Sequence, residues 1–551
     1  MKLRLAIAAT VLCLAPASGA LAETLNVPAQ YATIQAAVDA ADPGDVVLVA
    51  PGIFTDCTHQ PLPDETFCCV IMKSGVELRG SGIDQTIIDA QDLGRGIHFG
   101  GVTGASARLL TVRNSEGDNY GCGILVKQSD PHIEDVKAEY CHGGISVIQE
   151  GGGLYERCTF DHNAGKYGAG IDVEYGCSGR FVDCVVTHND GPSNAGVQLR
   201  GNVVMERCLI DGNTTAGSSP GGVSGGGIGI LGGVSVLRFC TITNNYSGGE
   251  GGGISFMSND LGGVIDHCLI ANNQCAGAEG RGGGIIVTSL ADVHISYCTI
   301  ANNSATGTWG DGGGMYVSYS TADISHCTFY GNSVQSTIGT AGNFGTQTLD
   351  APATPVTMSN SILAFSPDGA GMTCVDWAGM IHISCCDVYG NAGGNDVCET
   401  ATDCFSADPL FCDAANGLFR LAPASPCAPG QHPGGVCADA LIGAFPAGCT
   451  TDVDDTPGTA AVALLGNQPN PFSRNTLIAF SLDRAAGVRL EVIDASGRLV
   501  ALLEDGVRPA GTHHIGWDGT SLDGTRAESG VYFYRLKTEG RTEAMRMLRL
   551  R

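Results

Sequence analysis

Basic side chains are scarce. The 551 residues hold 29 Lys and Arg against 56 Asp and Glu, a net charge of −27 at neutral pH. A body of that sign repels phosphate backbones, which argues against nucleic acid as a partner. The deficit lies in the front of the chain: residues 464–551 carry 12 basic against 10 acidic side chains, leaving 17 against 46 upstream. A polyanionic substrate would meet the same repulsion unless a cation bridged the two. Charged residues of either sign are only 15% of the chain, too few for long solvated helices or coiled coils. No stretch reaches the ~18 uninterrupted apolar residues of a membrane helix. What is abundant is glycine, 81 residues beside 22 prolines. That is about double the usual glycine share, yet Gly plus Pro stays under the ~25–30% of a disordered chain. With 43% hydrophobic residues a core can form, and at ~150 residues per domain the length implies several domains or one long repetitive one.

The first residues read as an export signal, residues 1–22. Lys2 and Arg4 precede the apolar run Leu5 to Leu14, and Ala20-Leu21-Ala22 supplies small residues for cleavage before Glu23. Thr10, Val11 and Leu12 before Cys13 do not suit a lipobox, so the expected product is a soluble mature chain, secreted or held at the bacterial cell surface.

A repeat dominates the body of the chain. The pattern Cys-x-(Ile/Phe/Val)-x-x-Asn begins at Cys158, Cys184, Cys208, Cys240, Cys268, Cys298, Cys327 and Cys386, and ends at Asn163, Asn189, Asn213, Asn245, Asn273, Asn303, Asn332 and Asn391; Ser361 fills the missing cysteine slot. The spacing varies from 24 to 34 residues. Upstream of each cysteine from 158 to 327 lies a glycine followed by an apolar anchor: Ile145, Ile171, Val197, Ile228, Ile254, Ile285 and Met315. Each repeat is then two or three short strands divided by Gly and Asn corners, because both residues tolerate the left-handed region. No repeat can bury its apolar face alone, but stacking like residues ~4.8 Å apart closes a continuous core. Runs of Gly-Gly-Gly leave no room for the helices of leucine-rich repeats, and the variable spacing breaks the strict period of left-handed hexapeptide coils. About a dozen coils of a right-handed parallel β-helix is the expectation, all-β apart from a capping helix.

These rows resemble the pectate-lyase-like right-handed β-helices, as does Tyr31 to Phe54, where Thr33 before Ile34, Ala37 and Val38 fits the short capped helix that closes one end of such a core. The resemblance covers residues 24–449 and is specific for fold, since lyases, hydrolases, esterases, epimerases, tailspikes and adhesins share it. The expected domains are 23–449 for the β-helix, 450–463 for a polar linker and 464–551 for a six-stranded immunoglobulin-like sandwich with turns at Asp518-Gly519 and Asp523-Gly524. In that last segment Asn467 to Phe472, Trp517 to Gly519 and Ser529 to Leu536 resemble the sorting domains of type IX secretion cargo and the related domain of flagellar hook-capping proteins. The resemblance implies the outer-membrane secretion machinery as a partner.

The row cysteines read as an inward ladder of small apolar side chains. Parallel Cβ vectors would hold neighbours ~4.8 Å apart, beyond the ~3.8 Å that a disulfide needs, so they are expected to remain thiols. Cysteines between Cys374 and Cys449 contain no CxxC pair and read as staples of a loop-rich C-terminal cap.

Family signatures of catalysis are mostly missing. Paired aspartates with GHG and RIK are absent, as is RxPxxR; Cys141-His142-Gly143-Gly144 is an echo of the first, and Ser129 to Val136 resembles an epimerase element but also fits ordinary repeat register. One constellation remains. Side chains one and three places past each anchor should point outward: Leu125 and Lys127, Ser146 and Ile148, Asp172 and Glu174, Gln198 and Arg200, Gly229 and Leu231. Asp172 and Glu174 are candidate Ca2+ ligands, Arg200 and Lys127 candidate catalytic bases, and Gln198 and Glu174 candidate substrate contacts. A solvated salt bridge explains the same residues. Two readings stay open: an exported, surface-displayed β-helix that binds glycans or neighbouring cells without catalysis, and a Ca2+-assisted lyase or a glycoside hydrolase acting on acidic polysaccharide.

Overall fold

A computed structural model of the chain describes residues 22–57, 67–116, 122–216, 225–257, 262–336, 340–348, 354–376, 379–435, 437, 440–449 and most of 462–549. The signal segment up to residue 21, the linker 450–461 and the turn at Asp523-Gly524 lie outside the described residues. The chain forms two compact units, Met1–Ala447 and Gly448–Arg551.

The first unit is a parallel β-solenoid. One face is a sheet of twelve strands, one per coil, running from Cys68–Ile71 to Ala370–Val375. Its register aligns the anchors of the glycine row, Ile145 to Ile171 to Val197 to Ile228 to Ile254 to Ile285 to Met315. All seven are fully buried, and each such side chain stabilises the core by ~1.5–3 kcal/mol. The rest of each coil belongs to a 25-stranded sheet, and six middle coils add a two- or three-residue strand in a third, short sheet. The helix Ile34–Ala40 closes the N-terminal end, and the Thr33 hydroxyl caps it by accepting from the Ala36 amide at 3.1 Å.

Two ladders run inside the stack. Asn163, Asn189, Asn213, Asn245, Asn273, Asn303 and Asn332 are buried, and each Oδ1 from Asn189 onward accepts both the backbone amide and the Nδ2 of the asparagine one coil earlier. This ladder explains the glycine row: a Cβ on Gly227 would stand 2.9 Å from the Asn245 Nδ2, and one on Gly314 2.8 Å from that of Asn332. The eight row cysteines are buried free thiols, and Ser361 keeps their place, its hydroxyl accepting from the Cys327 amide.

The Gly and Asn corners expected are present before the ladder asparagines, where Gly212, Asn244, Asn272, Asn302 and Gly331 are left-handed, and a second bend joins them. The residue before each ladder cysteine is left-handed although bulky: Arg157, Asp183, Arg207, Phe239, His267, Tyr297 and His326 all have φ between 51° and 54°. Turned outward there, Phe239, His267, Tyr297 and His326 stack ring on ring at 4.7–5.1 Å, and this packing offsets the cost of the left-handed backbone. Beyond the last coil, disulfides Cys374–Cys398 and Cys385–Cys437 and an antiparallel hairpin, Phe411–Asp413 with Leu418–Leu421, form the cap.

The second unit is a sandwich of a three-stranded and a four-stranded antiparallel sheet around Phe472, Phe480, Val492, Trp517 and Tyr534. It has one strand more than expected, Val462–Gln468, which pairs with Thr476–Leu482 and begins inside the segment read as linker.

Candidate functional site

The outer surface of the twelve-stranded sheet carries the residues singled out from the sequence. Leu125, Ser146, Asp172, Gln198 and Gly229 form one row in register. Lys127 pairs with Ile148 in the row two places on, where Glu174 and Arg200 follow past the strand ends. These side chains point away from the solenoid core, yet they are not a solvated patch. Asp172 and Gln198 are 3% and 2% exposed, and Leu125 and Ile148 bury each other with Cys122.

The ion pair also differs from the sequence expectation. Arg200 pairs with Asp172: its Nη2 donates to Oδ1 at 3.0 Å and to Oδ2 at 3.2 Å, while Gln198 Nε2 donates to Oδ1 at 3.0 Å. The carboxylate expected to meet a cation is therefore already compensated. Burial pushes the Asp172 carboxyl above its ordinary range despite Arg200. At Arg200, burial works toward a lower value, but the charge and hydrogen bond of Asp172 outweigh it and hold the guanidinium more firmly protonated than usual. Calcium takes 6–8 oxygen ligands, and with both Asp172 oxygens bound to nitrogen donors the residues here do not fit it. A locked cation is equally unsuited to removing a proton, so Arg200 does not fit the part of a base.

Aromatic rings gather around Arg200. The Arg200 guanidinium lies between the rings of Tyr167 and Tyr175, 5.6 Å and 5.9 Å from their centroids, and Lys166 Nζ stands 5.1 Å over Tyr167. Tyr167 sits on the connection leading into the strand and Tyr175 in the turn leaving it, 40% and 64% exposed. Room for the second ring comes from Gly232, two coils on, where a Cβ would approach it to 2.7 Å. Two tyrosine faces thus flank an arginine whose charge and direction are fixed from beneath by a buried carboxylate. Such a surface suits the apolar faces and ring hydroxyls of sugars and the planar acid groups of uronates.

A second cluster was missed in the sequence although its signal was there. The residue four places before three consecutive anchors is charged: Glu250, Arg281 and Asp311, each followed by three glycines. Arg281 and Asp311 meet across an isolated parallel β-bridge between neighbouring coils. The Glu250 Oε1 is 3.7 Å from Arg281 Nη1 and makes no hydrogen bond. Arg281 also lies 5.4 Å over the ring of Tyr316. Burial pushes the Glu250 carboxyl up to about 7, with Arg281 opposing and Glu279 adding to the rise. Burial likewise raises Asp311, against amide hydrogen bonds from Ala341 and Gly312.

Comparison with known proteins identifies both units. Residues 95–249 and 218–402 match the family described as a right handed beta helix region. Together these matches span more than half of the chain, and the chain belongs to that family. Residues 466–541 match the FlgD Ig-like domain. Among curated proteins, the basal-body rod modification protein FlgD of Escherichia coli is 34% identical over 77 residues, 14% of this chain and 33% of that protein. The Salmonella typhimurium protein of the same name is 35% identical over the same shares. The chain thus spans about a third of the length of the curated relatives it matches. Among solved structures, a PL6 family alginate lyase is 15% identical, with 79% of this chain and 60% of that chain covered and a TM-score of 0.40. Pectate lyase Pel9A is 13% identical, covering 75% and 90%, with a TM-score of 0.32. Dimeric latent PorU from Porphyromonas gingivalis is 24% identical over 18% of this chain and 10% of that chain, with a TM-score of 0.16. Scores this low carry no argument about activity.

Proposed function

We propose that this protein is an exported β-helix that binds carbohydrate along the outer surface of its twelve-stranded sheet. The observation that carries the reading is the clamp of Arg200 between the exposed rings of Tyr167 and Tyr175, with Asp172 buried beneath it. The rings offer stacking area at small entropic cost and the guanidinium offers a directed donor, so a sugar chain laid along the stack meets both. Export rests on the N-terminal segment, and the immunoglobulin-like unit serves as its sorting or attachment module at the outer membrane; residues 467–472 and 529–536 support that role by their resemblance to sorting domains.

A second reading, glycoside hydrolysis, is favoured by Glu250. A buried carboxyl titrating near 7 beside Arg281 is matched to donating a proton to a leaving oxygen at neutral pH. The experiment that separates the two is a panel of neutral and acidic polysaccharides, with and without Ca2+. Retardation in affinity gels reads binding, reducing ends read hydrolysis, and absorbance at about 235 nm reads the unsaturated products of a lyase. Retention on at least one polysaccharide without new ends or absorbance supports the first reading. New reducing ends lost in Glu250→Gln support the second, and neither retention nor new ends on any of them defeats both.

A further inference from the structure

A different corner of the coil gathers two imidazoles on one carboxylate. His162 and His188 occupy the same position in consecutive coils, directly before the buried Asn163 and Asn189, and both are left-handed with φ of 53° and 52°. That backbone turns both side chains off the same edge, and their rings stack at 4.9 Å with 22° between planes. The column is bracketed: Tyr140 stacks on His162 from one side at 5.4 Å. On the other side Gly212 takes the equivalent place, where a Cβ would come within 3.3 Å of His188 Cδ2. The two rings are thereby oriented alike without being covered.

Both rings turn Nδ1 to the same atom. The Asp161 Oδ1 lies 3.0 Å from His162 Nδ1 and 3.2 Å from His188 Nδ1, and the donor atoms of all three residues fall within 4.8 Å of one another. Thr187, in register beside Asp161, donates its hydroxyl to the same oxygen at 2.8 Å and holds the carboxylate in place. An ion bound at ~2.0–2.2 Å spaces its ligand atoms about 2.8–3.1 Å apart in octahedral order and about 3.3–3.6 Å apart in tetrahedral order. The two separations from Asp161 already have that size, and the two imidazole nitrogens lie within 4.8 Å of each other, a gap that a turn of the half-exposed rings can close. Two imidazole nitrogens with one carboxylate select first-row ions such as Zn2+, Co2+ or Ni2+ over Ca2+ or Mg2+, which favour all-oxygen shells. We infer that Asp161, His162 and His188 form a surface site for a divalent transition metal, with water completing its coordination.

The test uses the full, untagged chain freed of metal by chelation. Calorimetry with Zn2+ should show one saturable site, Co2+ should develop a visible d–d absorption, and Ca2+ should give no heat. His162→Ala and His188→Ala should each weaken Zn2+ by at least about tenfold, since even residues supporting a metal ligand cost that much. Two controls should leave binding unchanged: His294→Ala, an exposed histidine near Asp323, and Cys404→Ser, a partly exposed free thiol. Far-UV circular dichroism of the corner variants should match the parent, because both histidine side chains are about half exposed. Absence of saturable Zn2+ binding would overturn the inference and leave the three residues a hydrogen-bonded cluster. Binding undiminished in both histidine variants, or lost with Cys404→Ser, would overturn it equally.

Discussion

Replacing Arg200 with alanine tests whether the clamp is a locked ion pair. In the native fold the Asp172 carboxylate is 3% exposed and receives Arg200 and Gln198. Without Arg200 it keeps a single neutral donor. Stranding one member of a buried pair costs about 3–5 kcal/mol, and because about a fifth of the Arg200 side chain reaches solvent, screening lowers this to about 2–3 kcal/mol. The cost depends on pH with a definite sign. Burial already raises the Asp172 carboxyl, and loss of Arg200 raises it further. An acid whose native pKa lies above its unfolded value contributes stability below about pH 4, and loses it as pH climbs through the native pKa. The variant can therefore escape the penalty at low pH by taking a proton. Urea unfolding should show parent and Arg200→Ala within about 1 kcal/mol at pH 4, separating to about 2–3 kcal/mol at pH 8. The double variant Arg200→Ala with Asp172→Asn should recover at least half of that loss, because no buried charge remains. A gap that is equal at both pH values, or absent at both, would refute the reasoning.

Other outcomes rest on the same geometry. Asn245→Ala removes the acceptor for the Asn213 amide and the donor to the Ile210 carbonyl, so urea unfolding should register a loss of about 3–5 kcal/mol. Asn244→Gly, at the exposed left-handed residue beside it, should cost under about 1 kcal/mol, since glycine accepts that backbone. Glu250, raised to about 7, makes the parent lose stability as pH rises from about 4 through 7. Glu250→Gln should abolish that decline and be the more stable protein at pH 8 by about 2–3 kcal/mol; parallel pH profiles would show that Glu250 is ionised throughout. Thiol titration of the unfolded chain without reductant should approach the fifteen free cysteines among the described residues, with Cys404 the first to react in the native state. Fewer than about five would contradict the ladder.

The solenoid was legible because its constraints repeat. Each coil needs a glycine beside the asparagine ladder and a small side chain at the inward bend, so the rows at Gly227 with Asn245 and at Cys240 with Cys268 announce themselves by spacing. The Thr33 cap was legible for a local reason, a hydroxyl one residue before an apolar helical stripe. The site was legible only as a set of facing residues. Periodicity placed Asp172 beside Gln198 and pointed both outward, but it carried no information about Tyr167 and Tyr175, which arrive from connections outside the repeat and bring their rings against Arg200. Reading Glu174 as the partner of Arg200 came from equal position on neighbouring coils. The side chain directs its hydrogen bonds back to Asp172, where burial makes its charge worth more, while the charge of Glu174 still favours the guanidinium. The charges before Ile254, Ile285 and Met315 lie upstream of the anchors, outside the outward positions that strand alternation marks, although their phase is as regular as the ladders themselves.

The claim that Tyr167 and Tyr175 form a carbohydrate platform meets its most direct test in one affinity ratio. For the polysaccharide that retards the protein most strongly, the dissociation constants of the parent and of the double variant Tyr167→Ala with Tyr175→Ala are measured by affinity electrophoresis at pH 7. Two stacking faces worth about 1 kcal/mol each predict a loss of about thirtyfold, with the unfolding midpoint of the variant held near that of the parent because both rings are substantially exposed. Equal affinities for parent and variant would contradict the account and move the binding surface elsewhere.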